Sequence, residues 1–286
     1  MNPAHLVACD LDRTLIYSSR AFWLETADAE APSIVVAEVY NGAPISFMTR
    51  AAEQLLLELT ATTTFVPVTT RTVAQYSRVQ LPGPVPPYAI TTNGGTILVD
   101  GAPDPEWSRT LQARLSADAA PLAEVRALLE DPTATDWILR VRTAEDLFTY
   151  AIIDRDTMPA DWIAALHTRC QSRGWTVSVQ GRKLYCVPDA VNKSTAVAEV
   201  RRRLGAPLVL AAGDSLLDQR MLEEADFAFR PAHGELQDAA FQSPNLVVTN
   251  RRGILAGEEL LRSITQQVLG GAALPADVVA AQLTSR

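Results

Sequence analysis

A chain of 286 residues, 48% hydrophobic and 20% charged, has the balance of a globular protein and is long enough for one large domain or two modest ones. Its formal net charge of −8 argues against a nucleic-acid partner held by bulk electrostatics, so an anionic ligand must be held by local cations or a metal. Cys9, Cys170 and Cys186 have neither disulfide-framework nor zinc-ligand spacing and are read as small apolar packing residues in a reducing compartment. There is no signal-peptide pattern and no apolar run of membrane-spanning length. The expectation is therefore a cytoplasmic protein without a membrane partner, its oligomeric state left open.

In chain order, short apolar runs alternate with helical patterns. Strands are expected at Leu6–Cys9, Thr64–Val68, Tyr88–Thr91, Leu208–Ala212, Phe227–Phe229 and Leu246–Thr249. Several are apolar on both faces, as buried parallel strands are. Thr49 is placed to cap a helix over Arg50–Leu59, with Leu55, Leu56 and Leu59 on one stripe. Asn192 caps a helix running to Leu204, which Gly205 ends, and a last helix covers about Ile254–Leu269. Pro82–Pro87 reads as a rigid connector.

Two insertions interrupt this alternation. Ile34–Tyr40 and Pro44–Phe47 flank Asn41-Gly42, a strong hairpin signal, and predict a β-flap. The second insertion, residues 96–188, carries helical spacing at Leu122/Val125/Leu129 and Ile163/Leu166/Cys170. Its strand-like runs are Trp137–Val141, Leu147–Ile153, Trp175–Val179 and Leu184–Val187, which together predict a separate α+β unit. Trp107, Trp137, Trp162 and Trp175 are expected in the core of that unit. The predicted class is α/β, a Rossmann-like mostly parallel sheet built from residues 1–95 and 189–286, with an α+β cap inserted at 96–188.

Chemistry concentrates at expected strand ends. Asp10-Leu11-Asp12-Arg13-Thr14 follows the first strand directly. Two carboxylates on one side of an extended segment are costly to pack unless a cation or hydrogen bonds offset them. Thr69-Thr70-Arg71 ends the second strand, Lys193 opens the Asn192-capped helix, and Gly213-Asp214-Ser215-Leu216-Leu217-Asp218 ends a later strand. In an open α/β sheet, ligands bind beyond the carboxyl ends of the strands, so all four segments should converge on one crevice.

In order and placement these segments (DLDRT, VTTR, NKS and GDSLLD) resemble the haloacid dehalogenase (HAD) superfamily of phosphatases and phosphotransferases. The large insert and the Thr91-Thr92-Asn93-Gly94-Gly95 turn further resemble its Cof-type and sucrose-phosphatase-like branch. The resemblance implies a Mg2+-dependent phosphatase acting on a small phosphate ester, such as a sugar phosphate, through an aspartyl-phosphate. A phosphomutase or phosphotransferase using the same residues, or a weakened regulatory protein, are the alternatives. It further implies Asp10 as nucleophile, Asp12 as general acid and base, and Thr69 and Lys193 as phosphoryl-stabilising groups. Metal ligation falls to Asp10, Asp12, Asp214 and Asp218, and substrate contacts to Thr70, Arg71 and Asn93.

Two positions depart from the pattern. Arg13 stands where glycine is usual, free to reach substrate, pair with the flap or crowd the turn. Leu217 stands where the branch carries asparagine. His5, His167 and His233 lack ligand spacing and are read as packing or surface residues, and Arg140, Arg142, Arg155, Arg182 and Lys183 are cap cations that could hold an anionic leaving group.

Overall fold

A computed structural model of the chain describes residues 5–131 and 136–270; residues 1–4 and 271–286 of the expected core lie outside the described residues. In chain order the elements are β1 (Leu6–Cys9), β2 (Ile34–Tyr40), β3 (Ala43–Thr49), α1 (Arg50–Thr62), β4 (Thr64–Pro67), α2 (Val73–Tyr76), β5 (Tyr88–Thr91), β6 (Thr96–Val99) and β7 (Ala102–Pro103). They continue with α3 (Pro105–Asp118), α4 (Leu122–Leu129), β8 (Ile138–Ala144), β9 (Phe148–Ile153), α5 (Ala160–Gln171), β10 (Trp175–Gln180) and β11 (Lys183–Pro188). The chain then returns through α6 (Lys193–Leu204), β12 (Val209–Ala212), α7 (Gln219–Glu224), β13 (Phe227–Arg230), α8 (Glu235–Asp238), β14 (Leu246–Val248) and α9 (Ile254–Val268).

Five parallel strands in the order β14-β13-β12-β1-β4 make the central sheet. The residues of β1 are wholly buried, so each of its faces packs under helices and loops rather than water. From β1 the chain leaves first for β4 on one side and later for β12 on the other, which makes the carboxyl end of β1 a topological switch point. Register then fixes what meets there. Cys9 pairs with Ala212 and with Pro67, so Asp10, Gly213 and Val68 leave the sheet at the same level.

The elements end where their residues dictate. The Thr49 side chain accepts the Ala52 amide, capping α1 and turning β3 directly into it. At α6 the Asn192 side chain accepts the Thr195 amide, and Gly205 takes a left-handed conformation (φ 59°) that closes the helix. The flap is an antiparallel β2–β3 hairpin, with irregular pairing around Glu38. That irregularity matters below, because Glu38 is a glutamate buried on the hairpin's inner side.

The insert is a four-stranded antiparallel sheet, ordered β10-β11-β9-β8, under α4 and α5. Trp137, Trp175, Phe148 and Leu166 lie in its own hydrophobic core, and Trp162 packs against it. The expected start at residue 96 is displaced. Here β6 pairs with β5, and β7 with β6, so residues 96–103 prolong the core's side of the chain. The β5 strand is itself outside the central sheet, joined to it through a single bridge between Val68 and Ile90. Trp107 is a further correction: α3 places it in the central-sheet core beside Leu6 and Val66, while Leu111, one helical turn later, reaches the cap core. One short helix thus spans both hydrophobic units.

Candidate active site

The carboxylate that ends β1 is over-determined by hydrogen bonds. Asp10, 5% exposed, accepts from the Thr14 hydroxyl at 3.1 Å on Oδ2 and from Lys193 Nζ at 2.6 Å on Oδ1. Thr14 is wholly buried, and the Tyr17 hydroxyl donates to its carbonyl, so the hairpin turn after β1 is rigid. Burial raises the Asp10 carboxyl to about 7, against the pull of the Lys193 ammonium, with Asp218 adding to the rise.

Lys193, the first residue of α6, is 1% exposed and also donates to Asp218 Oδ1 at 2.5 Å. Burial disfavours its charge, but Asp10 and Asp218 together hold it protonated far above the usual range. An ammonium between two buried carboxylates offsets their mutual repulsion.

The segment after β12 is organised by Asp218. Its Oδ2 accepts the Asp214 and Ser215 amides and the Ser215 hydroxyl, which commits that carboxylate to shaping the turn. Asp214, 5% exposed, makes no side-chain hydrogen bond among the described residues, and its Oδ2 lies 3.7 Å from Arg13 Nε. Burial and the neighbouring Asp10 push its carboxyl well above the usual range. Gly234 lies so close that a Cβ there would sit 2.4 Å from the Asp214 carbonyl, so only glycine fits against this turn. Oxygens from Asp10, Asp214 and Asp218 lie within 4.8 Å of one another. Three buried carboxylates at that spacing are a hard oxygen set that fits a magnesium ion.

Arg71 is tied to two carboxylates. Its guanidinium forks onto Asp12, Nε to Oδ2 at 2.7 Å and Nη2 to Oδ1 at 2.8 Å, while Nη1 donates to Glu38 Oε2 at 2.6 Å. Glu38 also accepts from the Ser46 hydroxyl and from Arg78. The flap therefore carries a fully buried carboxylate whose partners tie it to the strand-end arginine and, through that arginine, to Asp12. Burial in the cleft works against the Asp12 charge, but Arg71 outweighs it and holds the carboxyl below the usual carboxylate range.

Thr69 is wholly buried, and its hydroxyl accepts the Arg71 amide. Thr70 lies beside it, 9% exposed. Asn93 donates from Nδ2 to the Val191 carbonyl at 2.9 Å, bracing the turn between β11 and α6 just before Lys193. Its Oδ1 has no partner among the described residues.

The cap closes over these groups. Glu235 at the start of α8 accepts from the Ser178 hydroxyl and the Val179 amide of β10, and from the Leu216 amide. Leu217 belongs to the cap's hydrophobic core, so the missing asparagine is replaced by an apolar contact between the core turn and the cap. From the other edge Glu145 accepts the Val73 amide and the Thr92 hydroxyl. Replacing Glu235 by alanine leaves the Val179 and Leu216 amides unpaired, a cost of about 1–3 kcal/mol. Faster hydrogen exchange at these two amides, with α6 unchanged, is the expected result. Among the cap cations, Lys183 acts electrostatically on Asp12 and lies 5.8 Å and 5.9 Å from the Tyr150 and Tyr185 ring centroids. Arg140, Arg142, Arg155 and Arg182 are exposed.

Arg13 and His233 complete the pocket, the second without any signal in its sequence spacing. Arg13 has φ 66°, the left-handed region that explains why glycine is usual here. His233 Nδ1 accepts the Gly253 amide at 3.1 Å, so the proton sits on Nε2, which donates to the Arg13 carbonyl at 2.8 Å. Burial lowers the His233 ring to about 4 from 6.5. A depressed histidine contributes stability that is complete above pH 6.5 and disappears as pH falls toward 4. Between pH 7 and pH 4.5 the protein should lose up to about 3 kcal/mol more than a His233→Gln variant in denaturant unfolding. Equal losses would contradict this assignment.

No protein-family model and no curated protein matches the sequence. Solved structures do. The sucrose-phosphatase of Synechocystis sp. PCC6803, solved with sucrose and phosphate, superposes at a TM-score of 0.64 with 17% identity, covering 92% of this chain and 97% of that one. The C-terminal domain of trehalose-6-phosphate phosphatase from C. albicans gives 0.56 with 12% identity, over 94% and 92%. A HAD subclass IIB sugar phosphatase gives 0.53 with 11% identity, over 93% and 99%. Sheet order, inserted cap and full-length coverage agree in placing this chain in the fold of the HAD-superfamily phosphatases.

Proposed function

We propose that the protein is a magnesium-dependent phosphatase acting on a small phosphate ester. The observation that carries this reading is the meeting of Asp10, Lys193, Asp214 and Asp218 at the switch point of a parallel sheet, within hydrogen-bonding or metal-sharing reach. Asp10 and Asp214 would hold the ion, with Asp218 behind them; the Asp12 side chain, engaged by Arg71, is left for proton transfer. Magnesium supplies positive charge that offsets repulsion between the Asp10 carboxylate and the phosphate dianion.

In the chemical step an Asp10 oxygen attacks phosphorus, and the ester oxygen leaves with a proton from Asp12. Water then attacks the aspartyl-phosphate, Asp12 accepts its proton, and inorganic phosphate departs, which restores both carboxyl groups. Lys193, Thr69 and the amide of Thr70 stabilise the phosphoryl oxygens as charge spreads over them. The Arg71 fork keeps Asp12 ionised, which suits the water-attack half; the proton-donating half requires that Arg71 be drawn toward the substrate. Lys183, beside the buried rings of Tyr150 and Tyr185 in the cap, would be the group that meets the leaving group. A polyhydroxylated leaving group fits it, and the solved relatives include a sucrose-phosphatase and a trehalose-6-phosphate phosphatase.

Release of inorganic phosphate from a panel of sugar phosphates, nucleotides and aryl phosphates, with magnesium and with chelator, tests the reading. Magnesium-dependent release with a preference for sugar phosphates is expected. Retention of the phosphoryl group on an isomerised sugar would identify a mutase instead.

A further inference from the structure

The departure at position 13 has a defined place in the pocket. The Arg13 Nε lies 3.7 Å from Asp214 Oδ2 and is buried with no hydrogen-bond partner among the described residues. Its guanidinium carbon sits 5.0 Å from the centre of the Trp23 ring, whose position also carries Arg252 at 5.3 Å. The backbone of Arg13 is pinned on both sides: its amide donates to the Ile16 carbonyl, and its carbonyl accepts from His233. The side chain is therefore held against the metal-facing carboxylate rather than swept into solvent or onto the flap.

We propose that Arg13 sets the magnesium affinity of the pocket by acting as a built-in competing cation at Asp214. The inference rests on the reading of Asp10 and Asp214 as the metal-facing carboxylates. Lys193 already offsets one of the three buried carboxylates, and Arg13 offsets a second. An arriving divalent ion thus meets a pocket with less negative charge than a glycine at position 13 would leave, and feels the field of the guanidinium. Screening of the pair is reduced because Asp214 is buried and the Arg13 side chain is only 24% exposed. The pocket should fill only at raised free magnesium, with Arg13 standing against Asp214 when the ion is absent. This burden is specific to the guanidinium charge, not to the length of the side chain.

The test is calorimetric titration of the whole protein with magnesium chloride at fixed ionic strength, which reads the ion alone and needs no substrate. Glycine is at home at φ 66°, so Arg13→Gly should fold, and Arg13→Gln removes the charge while keeping a long side chain. Both are expected to bind magnesium about tenfold more tightly than the natural protein, and Arg13→Lys about as the natural protein does. Equal affinities for Arg13→Gly, Arg13→Gln and the natural protein would overturn the proposal and leave the metal site standing. Tightening by Arg13→Lys as large as by Arg13→Gly would overturn it in favour of crowding. Absence of magnesium binding in all four proteins would overturn the metal reading itself, and with it this inference.

Discussion

Asparagine at position 10 should lower magnesium-dependent phosphate release by about 10⁴-fold or more, since it removes the group that bonds to phosphorus in the proposed mechanism. The change is nearly isosteric, but an amide carries no charge and is a poor nucleophile. It also disturbs the ground state: Thr14 and Lys193 both donate to the two oxygens of Asp10, and an amide offers them only one acceptor. A stability loss of about 1–3 kcal/mol is therefore expected beside the kinetic loss. Phosphate-release kinetics together with denaturant unfolding separate the two effects. A variant that retained a rate within tenfold of the natural protein, with a normal fold, would remove Asp10 from the chemistry.

The second large effect is at Lys193. Methionine there keeps most of the volume but leaves Asp10 and Asp218 facing each other without a cation, both of them buried. Breaking a buried ion pair by removing one partner costs about 3–5 kcal/mol. The rate should also fall by about 10²–10³-fold, as when one preorganised donor to a developing negative charge is removed. Combining Lys193→Met with Asp218→Asn should restore part of the stability and none of the rate, because the neutral amide relieves repulsion without supplying a cation. Recovery of the rate in the double variant would assign Lys193 a structural role only.

Much of the site was legible because its residues are anomalous where they stand. A carboxylate directly after the apolar run Leu6–Cys9, and another after Val209–Ala212, have no reason to end buried strands unless something cationic meets them. Strand register then brings them together, and register follows from buried, apolar strands. Elements with weaker patterns were less legible. The α3 helix buries only Trp107 and Leu111, so its stripe is too thin to announce itself, and its tryptophan was assigned to the wrong core. β6 and β7 are short strands that read as the opening of the insert, and only their pairing with β5 reveals the side they belong to.

Partners distant in sequence were invisible for a different reason. Arg71 looks like a phosphate ligand because it adjoins Thr69 and Thr70. Its fork is instead taken by Asp12, and the remaining nitrogen by a glutamate on the flap. No local pattern marks Glu38, whose inward direction depends on irregular pairing in the hairpin. His233 likewise acts through one backbone carbonyl far along the chain. The signal that might have found it is the strained position of Arg13, which needs a partner to hold it.

Covalent capture of the phosphoryl group separates these assignments from any alternative. Asp12→Asn should still allow attack on an aryl phosphate with a good leaving group, yet deprive the acyl-phosphate of its general base for hydrolysis. Rapid acid quenching during turnover, borohydride reduction and peptide mass mapping should then find the modification on Asp10 and nowhere else. Modification of another residue, or phosphate release with no phosphoryl group passing through the protein, would contradict the proposed chemistry.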